Sequence, residues 1–259
     1  MQPRKLPSTL MLLGLIFAPL SQAQPVIKFG VDPSYPPFEQ KQPDGSLSGF
    51  DIDLGNALCA ELQVKCIWVE QTFDGMIPGL KAKKFDAILS AFSATAARRQ
   101  QVDFSDRIYT APSSLVARKD SGLLPTAESL KGKSVGVVQG TLHESFARSH
   151  WGNQGVSILT YQTQDQVFSD LINGRLDATF QASVQADVGL LQKPQGQAFA
   201  FAGEPITDKS IIGDGVAIGV RKNEPELKAQ LNTALASIRQ SGEYDQIAKK
   251  YFNFDIYGK

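Results

Sequence analysis

The chain has 259 residues, with 26 basic and 26 acidic side chains, 42% hydrophobic residues and two cysteines. So balanced a charge, with no basic run, excludes a nucleic-acid binder held by electrostatics, and the length suits one large or two small domains with proper cores. Met1 to Ala23 reads as a secretory signal. Arg4 and Lys5 form its basic start, Leu10 to Leu20 its apolar middle, and Ser21-Gln22-Ala23 a small-x-small cleavage site. That apolar stretch is too short for a good membrane span, and no later segment approaches the length one needs. The mature chain is expected to begin near Gln24 and to carry 24 basic against 26 acidic residues, since Arg4 and Lys5 leave with the signal.

Val26 to Val31 is an extended, mostly apolar run and predicts the first strand. It ends in Asp32-Pro33-Ser34-Tyr35-Pro36-Pro37-Phe38, where the prolines enforce extended geometry and fix one acid and one aromatic just past a strand end. Asp44-Gly45 signals a turn. Gly49 to Cys59 predicts a helix started by Asp51 and Asp53, with Ile52, Leu58 and Leu62 turned inward. Cys59 and Cys66 have six residues between them. In an exported protein so close a pair favours a local disulfide, with two buried free thiols as the alternative. A metal site needs further ligands, and no histidine lies nearby, so none is expected. Ile67 to Val69 predicts a second short strand, Phe73 a loop, and Asp74 the start of a helix through Ile77 and Leu80.

The rest of the chain is organised around Ala87 to Arg98. It opens as a short apolar strand, breaks into small and hydroxyl residues, and enters a helix capped by Thr95. The first turn of a helix has N–H groups without intrahelical partners and receives anions well. Arg98 sits in that turn, where its fork of donors suits a carboxylate, and Ser90 and Ser93 add neutral hydrogen-bonding groups. The plain alternative is a strand–loop–helix joint whose arginine is a surface charge.

Ser134 to Val138 repeats this arrangement: an apolar strand leads to Gln139-Gly140-Thr141-Leu142-His143-Glu144, where Thr141 and Glu144 form a capping box. Gly132-Lys133-Ser134 resembles the end of a phosphate loop, but position 127 is Ala and the motif precedes a strand, which argues against nucleotide binding. Leu80 to Ser90 is echoed by Leu171 to Gln181, each a helix end, an Asp-Ala step and a strand. Two copies of one α/β unit suggest two similarly built lobes. Glycines 203, 213, 215 and 219, with Pro205, mark a stretch suited to crossing back between lobes. Helical spacing then resumes from Glu226 to Ile238, and a second helix is expected around Tyr244 to Phe252.

Over its whole mature length the chain resembles the polar-amino-acid group of periplasmic solute-binding proteins, and within it the lysine/arginine/ornithine- and histidine-binding members. The resemblance is carried by Gly49-Phe50-Asp51-Ile52-Asp53-Leu54, Cys59 with Cys66, Ile77-Pro78 to Lys84, Phe104-Ser105-Asp106 and Gly136 to Gly140. Gly174-Arg175-Leu176-Asp177-Ala178, Gly213-Asp214-Gly215 and Lys249-Lys250-Tyr251-Phe252 extend it. It implies a two-lobed α/β fold of the Venus-flytrap kind, with residues 24–110 plus 211–259 in one lobe, 111–210 in the other, and two crossing strands between. It also implies ligand-driven closure and docking on an inner-membrane ABC permease, as a monomer and without a cofactor.

Carried over residue by residue, the resemblance makes Arg98 the partner of a ligand carboxylate, helped by backbone N–H groups near Ser93 and Leu142. Tyr35 and Phe73 sandwich an aliphatic stem, and Asp32 receives a distal cation. Ser90 and His143 line that same end, Ala91, Val138 and Thr141 line the cleft, and Asp51 adds negative field. The ligand is thus expected to be a cationic amino acid or close derivative. The pattern breaks at Ala182, where the family places the carboxylate that takes the α-ammonium. An opine, a D-amino acid or another ligand without a standard free L-α-amine fits that gap. An exported enzyme on this fold is the contrasting class and needs a positioned acid or base. His143 is the obvious one, and no Ser or Cys nucleophile partner for it is visible, so no catalytic residue is expected.

Overall fold

A computed structural model of the chain describes residues 24–207 and 209–258; the segment Met1 to Ala23, read above as a secretory signal, lies outside them. The first part runs β1 (Val26–Val31), β2 (Ser34–Tyr35), β3 (Glu39–Lys41), β4 (Leu47–Ser48), α1 (Phe50–Glu61), β5 (Lys65–Glu70) and α2 (Met76–Lys81). Next come β6 (Ala87–Ile88), α3 (Ala96–Arg99) and β7 (Asp103–Tyr109). The second part holds β8 (Ser113–Arg118), α4 (Ala127–Leu130), β9 (Ser134–Val138), α5 (Leu142–His150), β10 (Ser157–Tyr161) and α6 (Gln164–Ile172). It continues with β11 (Ala178–Ala182), α7 (Ser183–Ala186), β12 (Phe199–Phe201) and α8 (Lys209–Ile212). The chain ends with β13 (Val216–Val220), α9 (Pro225–Gln240) and α10 (Glu243–Ala248).

These strands make two five-stranded sheets, β5-β1-β6-β13-β7 and β10-β9-β11-β8-β12, and a three-stranded flap β2-β3-β4. The two large sheets share one pattern. β1 pairs in parallel with β5 and β6, as β9 does with β10 and β11, and an antiparallel strand follows in each, β13 beside β6 and β8 beside β11. The echoed segments end in β6 and β11, which occupy the same central place in their sheets. Central strands such as β11 and β13 are buried along their whole length, as expected where both sheet faces are covered.

Each sheet carries a core on either face. In the first lobe Phe29, Phe50, Leu54, Leu58, Ile218 and Leu235 pack on one side, and Met76, Leu80, Phe85, Ile88 and Phe104 on the other. In the second, Val135, Val137, Phe146, Trp151 and Phe180 oppose Val116, Val138, Val167, Phe168 and Leu171. The chain passes from the first sheet to the second between β7 and β8 and returns between β12 and β13. The two crossings bond to each other: Ser113 N–H donates to Ile206 O at 3.1 Å, and Ile206 N–H to Ser113 O at 2.7 Å.

Cys59 and Cys66 form a disulfide that ties the end of α1 to β5. Cys66 pairs near the start of β1, so the bridge lies at the opposite sheet end from the strand-end loops. Three local details differ from the sequence reading. The stretch after Asp32 is not only loop, because residues 34–48 fold into the flap. The helix after Thr95 has four residues, although Thr95 Oγ1 does accept the Arg98 N–H at 3.3 Å. Thr141 likewise accepts the Glu144 N–H, but Glu144 Oε2 takes the N–H of Gly140 at 2.8 Å, since the N–H of Thr141 already turns to Val138 O.

Candidate functional site

Parallel strands of an open α/β sheet present their following loops at the carboxyl edge, and there the two lobes face each other. Asp32 follows β1, Ser90 to Ser93 follow β6, and Val138 to His143 span the end of β9 and the start of α5. All of these but Phe92, Gln139 and Gly140 line one cleft, together with Tyr35, Phe73 and Arg98. Ser34, Glu39 and Gln164 line it too and are not distinguished by the sequence. Glu39 opens the three-residue strand β3, and no pattern in so short an element marks a residue that meets Ser90, 51 positions away. The one available signal for Gln164 is its place directly after the helix cap Thr163.

Arg98 is 8% exposed. Its Nη1 donates to Ser93 O at 2.9 Å and its Nη2 to Gly140 O at 3.2 Å, while its guanidinium lies 4.3 Å from the Phe92 ring centre and 5.1 Å from that of Phe73. Among the described residues no carboxylate pairs with it. Burial draws its pKa down to about 10, which leaves it charged at neutral pH. Beside it, Thr141 caps α5, a nine-residue helix whose first-turn N–H groups, Leu142 included, have no intrahelical acceptor. This end of the cleft can hold an anion.

The other end is acidic. Asp32 accepts the Ser34 hydroxyl at 2.6 Å and the Phe73 N–H at 3.0 Å, and its own N–H donates to Ser90 Oγ at 3.0 Å. Burial raises its carboxyl above the ordinary value, against the pull of those hydrogen bonds. Ser90 in turn donates to Glu39 Oε1 at 3.0 Å. Asp51 stands behind the wall and does not line it. Its Oδ2 takes the N–H of Ala91 at 2.7 Å and the Tyr109 hydroxyl at 3.2 Å, which holds Ala91 at a φ of +46°. Ala182 also stands off the wall, and its N–H donates to the Tyr35 hydroxyl at 3.2 Å. Tyr35 and Arg98 therefore both reach across from the first lobe to the second.

Among the described residues the wall contributed by the second lobe carries no charge. Val138, Thr141, Leu142 and Gln164 are neutral by nature. His143 is neutral because burial, and then the nearby Arg98, push its pKa down to about 3. Its Nε2 lies 3.0 Å from Ser113 Oγ, so His143 does have a serine partner that sequence reasoning missed. The two residues are 30 positions apart, and no local spacing links them.

Residues 27–254 match the family of bacterial extracellular solute-binding proteins, family 3. A lysine/arginine/ornithine-binding periplasmic protein of Escherichia coli is 49% identical over 250 residues, covering 96% of each chain. A histidine-binding periplasmic protein of the same organism is 48% identical over 232 residues, covering 90% of this chain and 89% of that one. Among solved structures, a periplasmic binding protein of Salmonella typhimurium described for its high arginine specificity superposes with a TM-score of 0.81 at 34% identity, covering 88% of this chain and all of that one. The chain belongs to the family 3 solute-binding proteins. Among its described residues no helix is long and apolar enough to cross a membrane.

Proposed function

We propose that the chain is the periplasmic substrate-binding component of an ABC importer for a cationic amino acid of the lysine, arginine, ornithine or histidine type, or a close derivative. One observation carries this reading: one cleft has at one end a buried Arg98 that no carboxylate pairs with among the described residues, and at the other the carboxyls of Asp32 and Glu39. A ligand with a carboxylate and a distal cation satisfies both ends at once. Arg98 and the start of α5 take the carboxylate, Asp32 the cation, and Tyr35 and Phe73 flank the stem. The names of the relatives support the same ligand class. The closing bodies are taken as 24–110 with 211–259 and 111–210, joined by the crossings on either side of Ser113 and Ile206. The protein works as a monomer that docks on an inner-membrane permease, after export and cleavage near Ala23.

Binding rather than catalysis follows from the state of His143. A general base works best with a pKa near the operating pH, and a buried imidazole near 3 beside a guanidinium is a poor proton acceptor. The Ser113–His143 pair is thus read as a packing hydrogen bond.

A second reading concerns the α-nitrogen. Among the described residues no carboxylate of the second lobe lines the cleft, and position 182 is Ala. Lacking that partner costs a free α-ammonium about 1.5–3 kcal/mol, or one to two orders of magnitude in affinity. This favours an opine, a D-amino acid or another ligand without a standard L-α-amine. A thermal-shift screen of refolded protein separates the readings. The panel holds L-arginine, L-lysine, L-ornithine and L-histidine beside their D-forms and N-substituted opines. A shift with the L-amino acids supports the first reading, a shift with the others alone supports the second, and silence throughout defeats both. Ala182→Asp is expected to tighten L-arginine or L-lysine about tenfold; a flat or weaker response means that the α-ammonium is already satisfied.

A further inference from the structure

The cleft holds one group that neither the carboxylate end nor Asp32 explains. Glu39 is 1% exposed, and its Oε1 accepts from Ser90 while its Oε2 is buried without a donor. Asp51, fully buried in α1, uses Oδ2 for the Ala91 N–H and the Tyr109 hydroxyl and leaves Oδ1 buried without a donor. The Asp51 N–H donates to the carbonyl of Phe38, the residue before Glu39, at 2.9 Å, which sets the two acids side by side, and the Asp51 carboxyl pushes that of Glu39 up. If both were ionised, two like charges would share a dry site with an orphan oxygen on each. One proton between them satisfies both atoms. The donors already in place decide which group keeps it: Asp51 has two and Glu39 one, so Asp51 is the better ion and Glu39 the acid.

The titratable groups that face the pair are Asp32 at the end of β1, Tyr35 of β2, Tyr109 of β7 and Tyr244 of α10, and none of them is a cation. Burial is the largest influence on both carboxyls. It holds Glu39 well above the usual carboxylate range and Asp51 up to about 7.

We propose that Glu39 and Asp51 form a single-proton dyad, Glu39 Oε2–H donating to Asp51 Oδ1, that supplies one negative charge beside Asp32 for the distal cation of the ligand. The proposal rests on the reading of the cleft given above. It also closes the charge balance. Arg98 contributes one positive charge, Asp32 and the dyad one negative charge each, and a cationic amino acid one net positive charge, so the filled cleft is neutral. The first lobe thereby supplies the negative charge that the second lobe lacks at Ala182. In acid a second proton enters the dyad from solvent and its charge falls to zero. Binding the cation then requires that this proton return to solvent.

The test is calorimetric titration with L-arginine from pH 5 to 8, in buffers of different ionisation enthalpy, together with the infrared spectrum of the ligand-free protein. Affinity is expected to fall up to tenfold per pH unit below neutrality, with protons released on binding between pH 6 and 7. A buried carboxylic acid C=O band is expected at pH 8. Glu39→Ala takes the donor from Asp51 Oδ1, so that Asp51 ionises less readily, and a loss of up to tenfold in affinity at pH 8 is expected. Glu39→Gln keeps an N–H where the O–H stood; it should recover most of that loss, lack the C=O band and shift the acid fall to lower pH. A Gln variant no better than Ala means that Glu39 acts as an ion and overturns the dyad. If the variants do not fold, the wild type still decides, because absence of the band at pH 8, or of proton release between pH 6 and 7, also overturns it. No binding of L-arginine, L-lysine or L-ornithine at any pH defeats the ligand reading instead, and the infrared band still settles the dyad.

Discussion

Arg98 is held by two carbonyl oxygens and two aromatic rings and, among the described residues, by no acid. A buried cation without a counter-charge is costly, and a ligand carboxylate offsets that cost. Arg98→Ala removes about two charge-assisted hydrogen bonds, so affinity for L-arginine should fall about a hundredfold or more by calorimetry. Retained affinity would mean that the carboxylate binds elsewhere. His143 makes a different prediction. Its native pKa lies near 3, below the 6.5 of the unfolded chain. In acid the unfolded state binds the extra proton, so this contribution to stability is present above pH 6.5 and is lost as pH falls toward 3, at up to about 1.4 kcal/mol per unit. The raised carboxyls of Asp32, Glu39 and Asp51 act in the opposite sense: their contribution is present below the unfolded carboxylate range and is lost as pH rises through their native values. Urea unfolding of His143→Leu should therefore show less loss than the wild type between pH 6.5 and 4. Parallel curves would mean that His143 is not held neutral. The positions of Asp32, Tyr35, Ser90 and Arg98 were legible because each stands in a short polar break after or beside an apolar strand, while their roles rest on the family resemblance. Glu39, Gln164 and Ser113 were not, because what brings them to the cleft is tertiary.

Elements were legible in proportion to their length and apolar pattern. β1, β9, α1 and α9 each carry a continuous or periodic apolar signal. The flap strands have two or three residues and so have no period to read. Yet the flap matters, since it places Tyr35 and Glu39 against the cleft. The start of α5 depends on Gly140, which has a φ of +76°, and a Cβ there would lie 2.7 Å from Asp74 Cα in the facing lobe. Gly140→Ala thus strains its own turn and obstructs closure together. The strain of a left-handed residue, about 1–2 kcal/mol, lowers stability in either form, so the obstruction alone acts on binding, and ligand affinity should weaken by about tenfold or more. Unchanged affinity would show that the lobes need not approach this closely when ligand is bound. The disulfide acts at the far sheet end, where a ring this small contributes about 2–3 kcal/mol at most. It is a staple for α1 and β5 and not part of the site.

For the whole molecule, the signal of a repeat in the sequence was the echo between residues 80–90 and 171–181, which fall on equivalent strands of the two sheets. The repeat is hidden elsewhere because the antiparallel strand comes last in the first lobe, as β13, and first in the second, as β8. Linear comparison cannot align units so permuted. In the proposed function, closure of the two lobes joins charges that belong to different strand ends, and the ligand completes their balance. Differential contact of this kind, made in full only when the lobes meet, is what lets a ligand shift the population toward the closed form. The direct measurement is calorimetry of refolded protein with L-arginine, its decarboxylated amine and L-citrulline, which keep both ends, only the cation and only the carboxylate. L-Arginine should bind at least about a hundredfold more tightly than either, since each comparison removes a charge-assisted partner at one end. Citrulline or the amine binding as tightly as L-arginine would contradict a cleft built on opposite charges at its two ends.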